Sequence, residues 1–189
     1  EKLSASAKEN LAQIKDTNTH IFAGVNYLKQ GSQNLDKLFG FSKVYLEATK
    51  EIESLSTNID LSTAALYQEK YSEAQTKIDA SQVNLQAAKA KIAQASNLVY
   101  FKFNKDLTDS MDLYDDGIVE LELSIEDSES GRDRNSYDHS MAAISLFSSA
   151  SATAPTSTEI DGELAAWTDT NIYVYTDKAI DEFTQIKTN

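Results

Sequence analysis

Turn-forming residues are scarce in this chain, and that scarcity constrains the fold more than any other feature. One proline, Pro155, and six glycines serve 189 residues. An all-β chain would need a turn about every 8–12 residues, each drawing on Gly, Pro, Asn or Asp. Ala, Leu, Lys, Glu and Gln are plentiful through residues 1–100, and these lose little backbone or rotamer freedom in a helix. The expected fold class is all-α.

Apolar residues recur in steps of three and four through nearly every segment. Ala7, Leu11, Ile14, Ile21, Val25 and Leu28 form a first stripe, with Asn18 as a polar exception and Gly31–Ser32 as its expected end. Leu35, Leu38, Tyr45, Ala48, Ile52 and Leu55 mark a second helix, expected to end in the Ser56–Asp60 cluster. A third runs from Tyr67 through Ala74, Ile78, Leu85 and Ile92 to Val99, and its small residues permit close approach by a neighbour. Leu107, Met111, Tyr114, Ile118, Leu121 and Ile125 define a fourth, and Tyr137, Met141, Ile144 and Phe147 a shorter fifth. The last, capped by Ser157 or Thr158, presents Ile160, Leu164, Trp167, Tyr175, Ala179 and Phe183. Ile172–Tyr175 is β-branched and aromatic, but the flanking spacing favours helix there.

Short joins between such helices make antiparallel neighbours. The expectation is an antiparallel bundle of about six amphipathic helices in a single all-helical domain, 1–189, with 1–103 and 104–189 as candidate sub-units. Sustained heptads allow one rival, long coiled-coil arms shared with partner chains. Tyr45-Ala48-Ile52 recurs as Tyr114-Gly117-Leu121, and Tyr71-Ala74-Ile78 recurs as Tyr137-Ser140-Ile144 at a similar offset. A duplicated helical hairpin would leave that pattern. Tyr71-Ser-Glu-Ala74 is similar over a dozen residues to the second-helix start of tetratricopeptide repeats, but no regular 34-residue period accompanies it.

The net charge of −13 is uneven: residues 1–105 carry 13 basic and 11 acidic residues, and residues 106–189 carry four and 19. Between Asp106 and Glu129 stand ten acids and no base. Nucleic acids and anionic membrane surfaces need clustered Lys and Arg, so both are excluded as expected partners. No stretch approaches the roughly 18–20 apolar residues of a membrane span, so no direct membrane insertion is expected within this chain. Glu1 falls inside what reads as an amphipathic helix, which suggests a trimmed or processed product with any anchor upstream. The Ser, Thr and Asn content and the two arginines lean slightly towards an extracytoplasmic location.

There is no cysteine, no Glu-x-x-His pair, no His-Glu-x-x-His zinc motif, no glycine-rich phosphate loop and no Gly-x-Ser-x-Gly elbow. His20 and His139 read as polar surface residues. Asp112-Leu-Tyr-Asp-Asp116-Gly117 echoes a calcium loop but puts Tyr114 at the third ligand and Leu123 where a bidentate Glu belongs. Asp127, Glu129, Asp133, Asn135 and Asp138 surround a loop whose flexible backbone would have to gather their oxygens for any weak cation binding. No catalytic, cofactor-binding or metal-ligating residue is assigned, and no cofactor is expected. The functional expectation is a non-enzymatic helical-bundle interaction or scaffold domain with protein partners, the exposed part of a larger or membrane-tethered protein. The alternative is an extracytoplasmic sensory bundle that binds a small ligand or cation.

Overall fold

The computed structural model describes residues 4–188, with side chains described through residue 186. These residues are almost wholly helical, with no strand among them. The helices are α1 (Ala5–Tyr67), α2 (Tyr71–Leu98), α3 (Lys102–Glu129), α4 (Asp133–Thr153), α5 (Ser157–Thr168) and α6 (Val174–Thr188), and a π-helical turn at Asp169–Tyr173 joins the last two without a break. Among the described residues no helix is long and apolar enough to cross a membrane.

This is not a set of six separate helices. Gly31, Ser32 and the Ser56–Asp60 cluster, expected to end helices, all lie inside the 63-residue α1. The reason is packing over propensity. A helical Gly costs roughly 1 kcal/mol relative to Ala, but Gly31 is buried, and a Cβ there would stand 3.6 Å from Cβ of Tyr175. Farther along, the Ser54 and Thr57 hydroxyls donate to carbonyls one turn back, so they stay within the helix. The cap of α5 also differs from expectation. Thr156 Oγ1 accepts from the Glu159 amide (3.3 Å), while Glu159 Oε2 accepts from the Thr156 amide (2.8 Å), a reciprocal capping box.

The chain divides into two compact units, one from the described residues within Glu1–Phe39 and Asp161–Asn189, the other Gly40–Ile160. Both boundaries of these units fall inside helices, one in α1 and one in α5.

The Gly40–Ile160 unit is a bundle of four antiparallel helical segments. The Ser62 hydroxyl donates to the Ala74 carbonyl (2.8 Å) between α1 and α2, Gln82 to Asp115 (3.1 Å) between α2 and α3, and the Ser110 hydroxyl to the Ala150 carbonyl (2.8 Å) between α3 and α4. Ala48, Leu55, Ile78, Leu85, Met111, Ile118 and Ile125 form its core. Phe41, Phe101 and Phe103 fill one end, with ring centroids 4.8 Å and 5.0 Å apart. Fully burying each such side chain stabilises by about 1.5–3 kcal/mol.

Within this unit two backbone hydrogen bonds of the α1–α2 turn recur in the α3–α4 turn. Lys70 N–H donates to Ala65 and Glu69 N–H to Leu66; Arg132 N–H donates to Asp127 and Gly131 N–H to Ser128. Both turns are Schellman caps, with the left-handed residue Glu69 (φ 60°) in one and Gly131 (φ 70°) in the other. Ser62 bonds the Ala74 carbonyl as Ser124 bonds that of Ser136. The geometric register thus sets Ser62 against Ser124 and Glu69 against Gly131. By that register Tyr45 answers to Leu107, not to Tyr114 as the tyrosine pattern has it.

In the other unit, α1 faces the π turn and α6 through His20, Gly24, Tyr27, Gly31 and Asn34. His20 Nδ1 lies 2.6 Å from Glu182, and the Tyr27 and Tyr175 rings are 6.4 Å apart. A Cβ on Gly24 would meet the Phe183 ring at 2.6 Å, so the glycine makes room for that ring. Within the π turn, the Asn171 carbonyl accepts a hydrogen bond from the Asn34 side chain at 2.8 Å.

Candidate functional site

Three of the largest apolar residues of α4 point away from the core. Tyr137, Met141 and Ile144 remain 66%, 48% and 47% exposed, while Ser136, Ala143 and Ala150 are buried. The seam this helix buries is Ser136-Ser140-Ala143-Phe147-Ala150, which keeps Phe147 of the expected stripe but replaces Tyr137, Met141 and Ile144 by the residue before each. Small residues on that seam bring α4 close to α3, close enough that the Phe147 ring occupies the place of a Cβ on Gly117, only 2.4 Å away. The larger residues are left over and face the end of α1.

They form one wall of a groove of about 420 Å³, with Leu66, Tyr67 and Tyr71 opposite. Tyr67 is 77% exposed. A recess of about 30 Å³ continues it inward between Thr63, Leu121, Ala143 and Phe147. Serine hydroxyls form its polar floor. Ser128 and Ser136 are 2.6 Å apart, Ser124 and Ser140 2.6 Å, and Ser136 donates to the Ser124 carbonyl at 2.9 Å. These hydroxyls satisfy one another, which is what burial requires of them. Glu69 and Asp133 stand at the groove's edge.

Beside the floor runs a charged chain. His139 Nδ1 lies 2.7 Å from Glu120, its Nε2 lies 3.8 Å from Asp127, and Arg132 Nε donates to Asp127 at 2.6 Å. Asp127 thus has partners of its own. The loop set Asp127, Glu129, Asp133, Asn135 and Asp138 does not converge, and among the described residues no three His, Asp or Glu side chains gather where they could hold a metal ion. His20 and His139, read from sequence as surface residues, are both half-buried and face carboxylates on neighbouring helices.

The stretch Asp112–Gly117 continues α3 as helix, so the calcium-loop spacing has no loop behind it. Its Asp112 and Asp115 hold Lys89 of α2 at 2.9 Å and 2.7 Å. Desolvation pushes the Lys89 ammonium down, but the hydrogen bonds it donates to Asp115 and Asp112, together with their charges, outweigh it and hold its pKa above the ordinary lysine value. Burial likewise pushes Asp115 up, and Lys89 and Gln82 more than reverse that, so its carboxyl titrates below the ordinary range. On Glu122 every contribution has one sign: burial, then the carboxylates of Asp79 and Glu126, raise it. Burial also raises the Tyr114 hydroxyl, with help from Asp60, while its ring packs 5.7 Å from that of Phe147.

The arrangement provides an apolar and aromatic cleft with a hydroxyl floor and an acidic edge. Sequence reasoning missed it because it ranked α4 by hydrophobicity. The available signal was the run of small residues at 136, 140, 143 and 150, spaced as a helix seam. Comparisons with protein-family models, with curated proteins and with solved structures find no match.

Proposed function

We propose that this chain is a non-enzymatic interaction or scaffold domain, the exposed part of a larger or membrane-tethered protein, and that its groove takes an amphipathic helix of a protein partner. The observation that carries this is the set of large side chains, Tyr67, Tyr137, Met141 and Ile144, held exposed on one cleft by a core that buries serine and alanine instead. Contiguous apolar surface of this kind marks interaction sites, and a cleft between helices suits a third helix laid along it. Glu69 and Asp133 at the edge favour basic flanks on that helix. The test is capture from native extract by the immobilised chain and by a Tyr137→Ser/Ile144→Ser variant of unchanged helicity. Capture by the parent chain that the variant loses supports the reading. No specific capture, or capture that the variant keeps, removes it.

The same reading extends to the fold: the two hairpins of the Gly40–Ile160 unit derive from one duplicated hairpin, in the register that sets Ser62 against Ser124. In its support, Phe41 and Phe103, Ala48 and Ser110, Ser62 and Ser124, and Ala88 and Ala150 are all buried at corresponding places.

A further inference from the structure

The first part of α1 carries a second exposed surface. Its contacts with the π turn and α6 use His20, Gly24, Tyr27, Gly31 and Asn34. The adjacent seam, Leu11-Ile14-Asn18-Ile21-Val25-Leu28, has no such use. It continues through Ser32 and Leu35 to Phe39, in unbroken steps of three and four. Its seven apolar members are 37% to 64% exposed, and Phe22 beside them is 69% exposed.

With roughly 150–250 Å² for an aromatic side chain and somewhat less for an aliphatic one, these half-exposed residues leave on the order of 700 Å² of apolar surface uncovered. That exceeds the few hundred Å² usual on a monomer and approaches the roughly 800 Å² per partner of a standard interface. Charge singles out the same place. Residues 4–39 hold four lysines and three acids in a chain of net charge −13, so two copies meet here with little like-charge repulsion.

The seam also reads the same from either end. Turned about Val25, Leu11 meets Phe39, Ile14 meets Leu35, Ile21 meets Leu28, and the two polar members, Asn18 and Ser32, meet each other. An antiparallel pair of copies therefore buries apolar against apolar and leaves the Asn18 amide a hydroxyl partner. The flanks agree with that direction. Lys15 and Asp36, both exposed beside the seam, come opposite each other twice in the antiparallel pair, whereas a parallel pair sets neither against an opposite charge.

We infer that α1 pairs with α1 of a second copy, antiparallel and centred on Val25, through the seam from Leu11 to Phe39. This deepens the reading of the chain as an interaction domain but uses a surface separate from the groove.

The test is sedimentation equilibrium of the full chain from low micromolar to several hundred micromolar, where a species of twice the 20.9 kDa chain mass is expected. Val25→Asp/Leu28→Asp, at exposed positions, is expected to be monomeric with unchanged helicity. Since the chain has no cysteine, single substitutions report direction. Ile14→Cys mixed with Leu35→Cys should oxidise to a covalent dimer of one copy of each, whereas either variant alone should not cross-link. A monomer throughout the range, a dimer indifferent to the double aspartate variant, or cross-linking of each variant with itself overturns the inference. A monomeric chain that still captures partners through its groove sinks self-pairing and leaves the scaffold reading standing. A dimer that captures nothing does the reverse.

Discussion

The hairpin that pairs α1 with α2 and the hairpin that pairs α3 with α4 share turn hydrogen bonds, a buried serine and a register, yet fill their shared geometry differently. Leu55 and Leu85 of the first, both fully buried, correspond to Gly117 and Phe147 of the second. Where the first hairpin has two medium side chains, the second has one absent and one large. The first hairpin closes its turn with Glu69 in a left-handed conformation that disfavours side chains, and the second with Gly131, which adopts it freely. The first lays Ala74 and Ile78 along its seam where the second lays Ser136 and Ser140. One backbone plan thus tolerates an apolar and a hydroxyl filling, provided volume and hydrogen bonds balance.

The largest expected effect breaks the volume exchange. Gly117→Leu drives a side chain into the Phe147 ring and should cost about 3 kcal/mol in urea unfolding. Phe147→Leu alone leaves a gap costing about 1 kcal/mol. Together they rebuild the Leu–Leu pair of the first hairpin, and the double variant should recover more than half of the combined loss. Strictly additive costs would mean that the two sites are not equivalent.

A smaller effect exchanges the turns. Gly131→Ala should destabilise by about 1 kcal/mol, since nothing lies within 4 Å of the added Cβ and the cost is conformational. Glu69→Gly should stabilise by up to about 1 kcal/mol for the converse reason. Equal thermal shifts of one sign for both would refute the comparison.

The smallest effects are electrostatic and of opposite sign. Asp115 is held below its ordinary 3.8, so its contribution is fully present above that value and is lost as pH falls through the folded value. Asp115→Asn should cost about 0.5 kcal/mol at neutral pH. Glu122 is raised above 4.5, so its ionised form opposes folding, and this penalty disappears as pH falls through the folded value towards 4.5. Removing its like-charge i,i+4 contact with Glu126, Glu122→Gln should stabilise by about 0.3 kcal/mol at neutral pH and lose that gain in acid. Denaturation curves across the acid range read both signs.

Much of this fold is legible in the sequence, and what is legible has a pattern. The seam Ala74-Ile78-Ser81-Leu85-Ala88-Ile92-Ala95 is buried along its whole length, because α2 has neighbours on the face where its apolar residues already stood. Leu107, Met111, Ile118, Leu121 and Ile125 of α3 are buried for the same reason. Tyr45, Ala48, Ile52 and Leu55 of the later part of α1 also face the core, but reading the first part of α1 and most of α4 in the same way picks the wrong face. On α1 it selects Ile21, Val25 and Leu28 over Gly24, Tyr27 and Gly31, and on α4 Tyr137, Met141 and Ile144 over Ser136, Ser140 and Ala143. Each time the true seam is adjacent and smaller, and the candidate groove exists because of that shift.

What the sequence determined by itself is the all-helical class. It follows from local terms, backbone entropy and rotamer freedom summed over a chain nearly without Gly and Pro, and no neighbour is needed to evaluate them. Where helices end and which stripe faces inward were decided by the tertiary structure. A helix with residues in three–four steps carries more than one seam, and the one buried is set by how closely another helix can approach. That depends on the ring of a Phe147 or a Phe183 finding a glycine across from it.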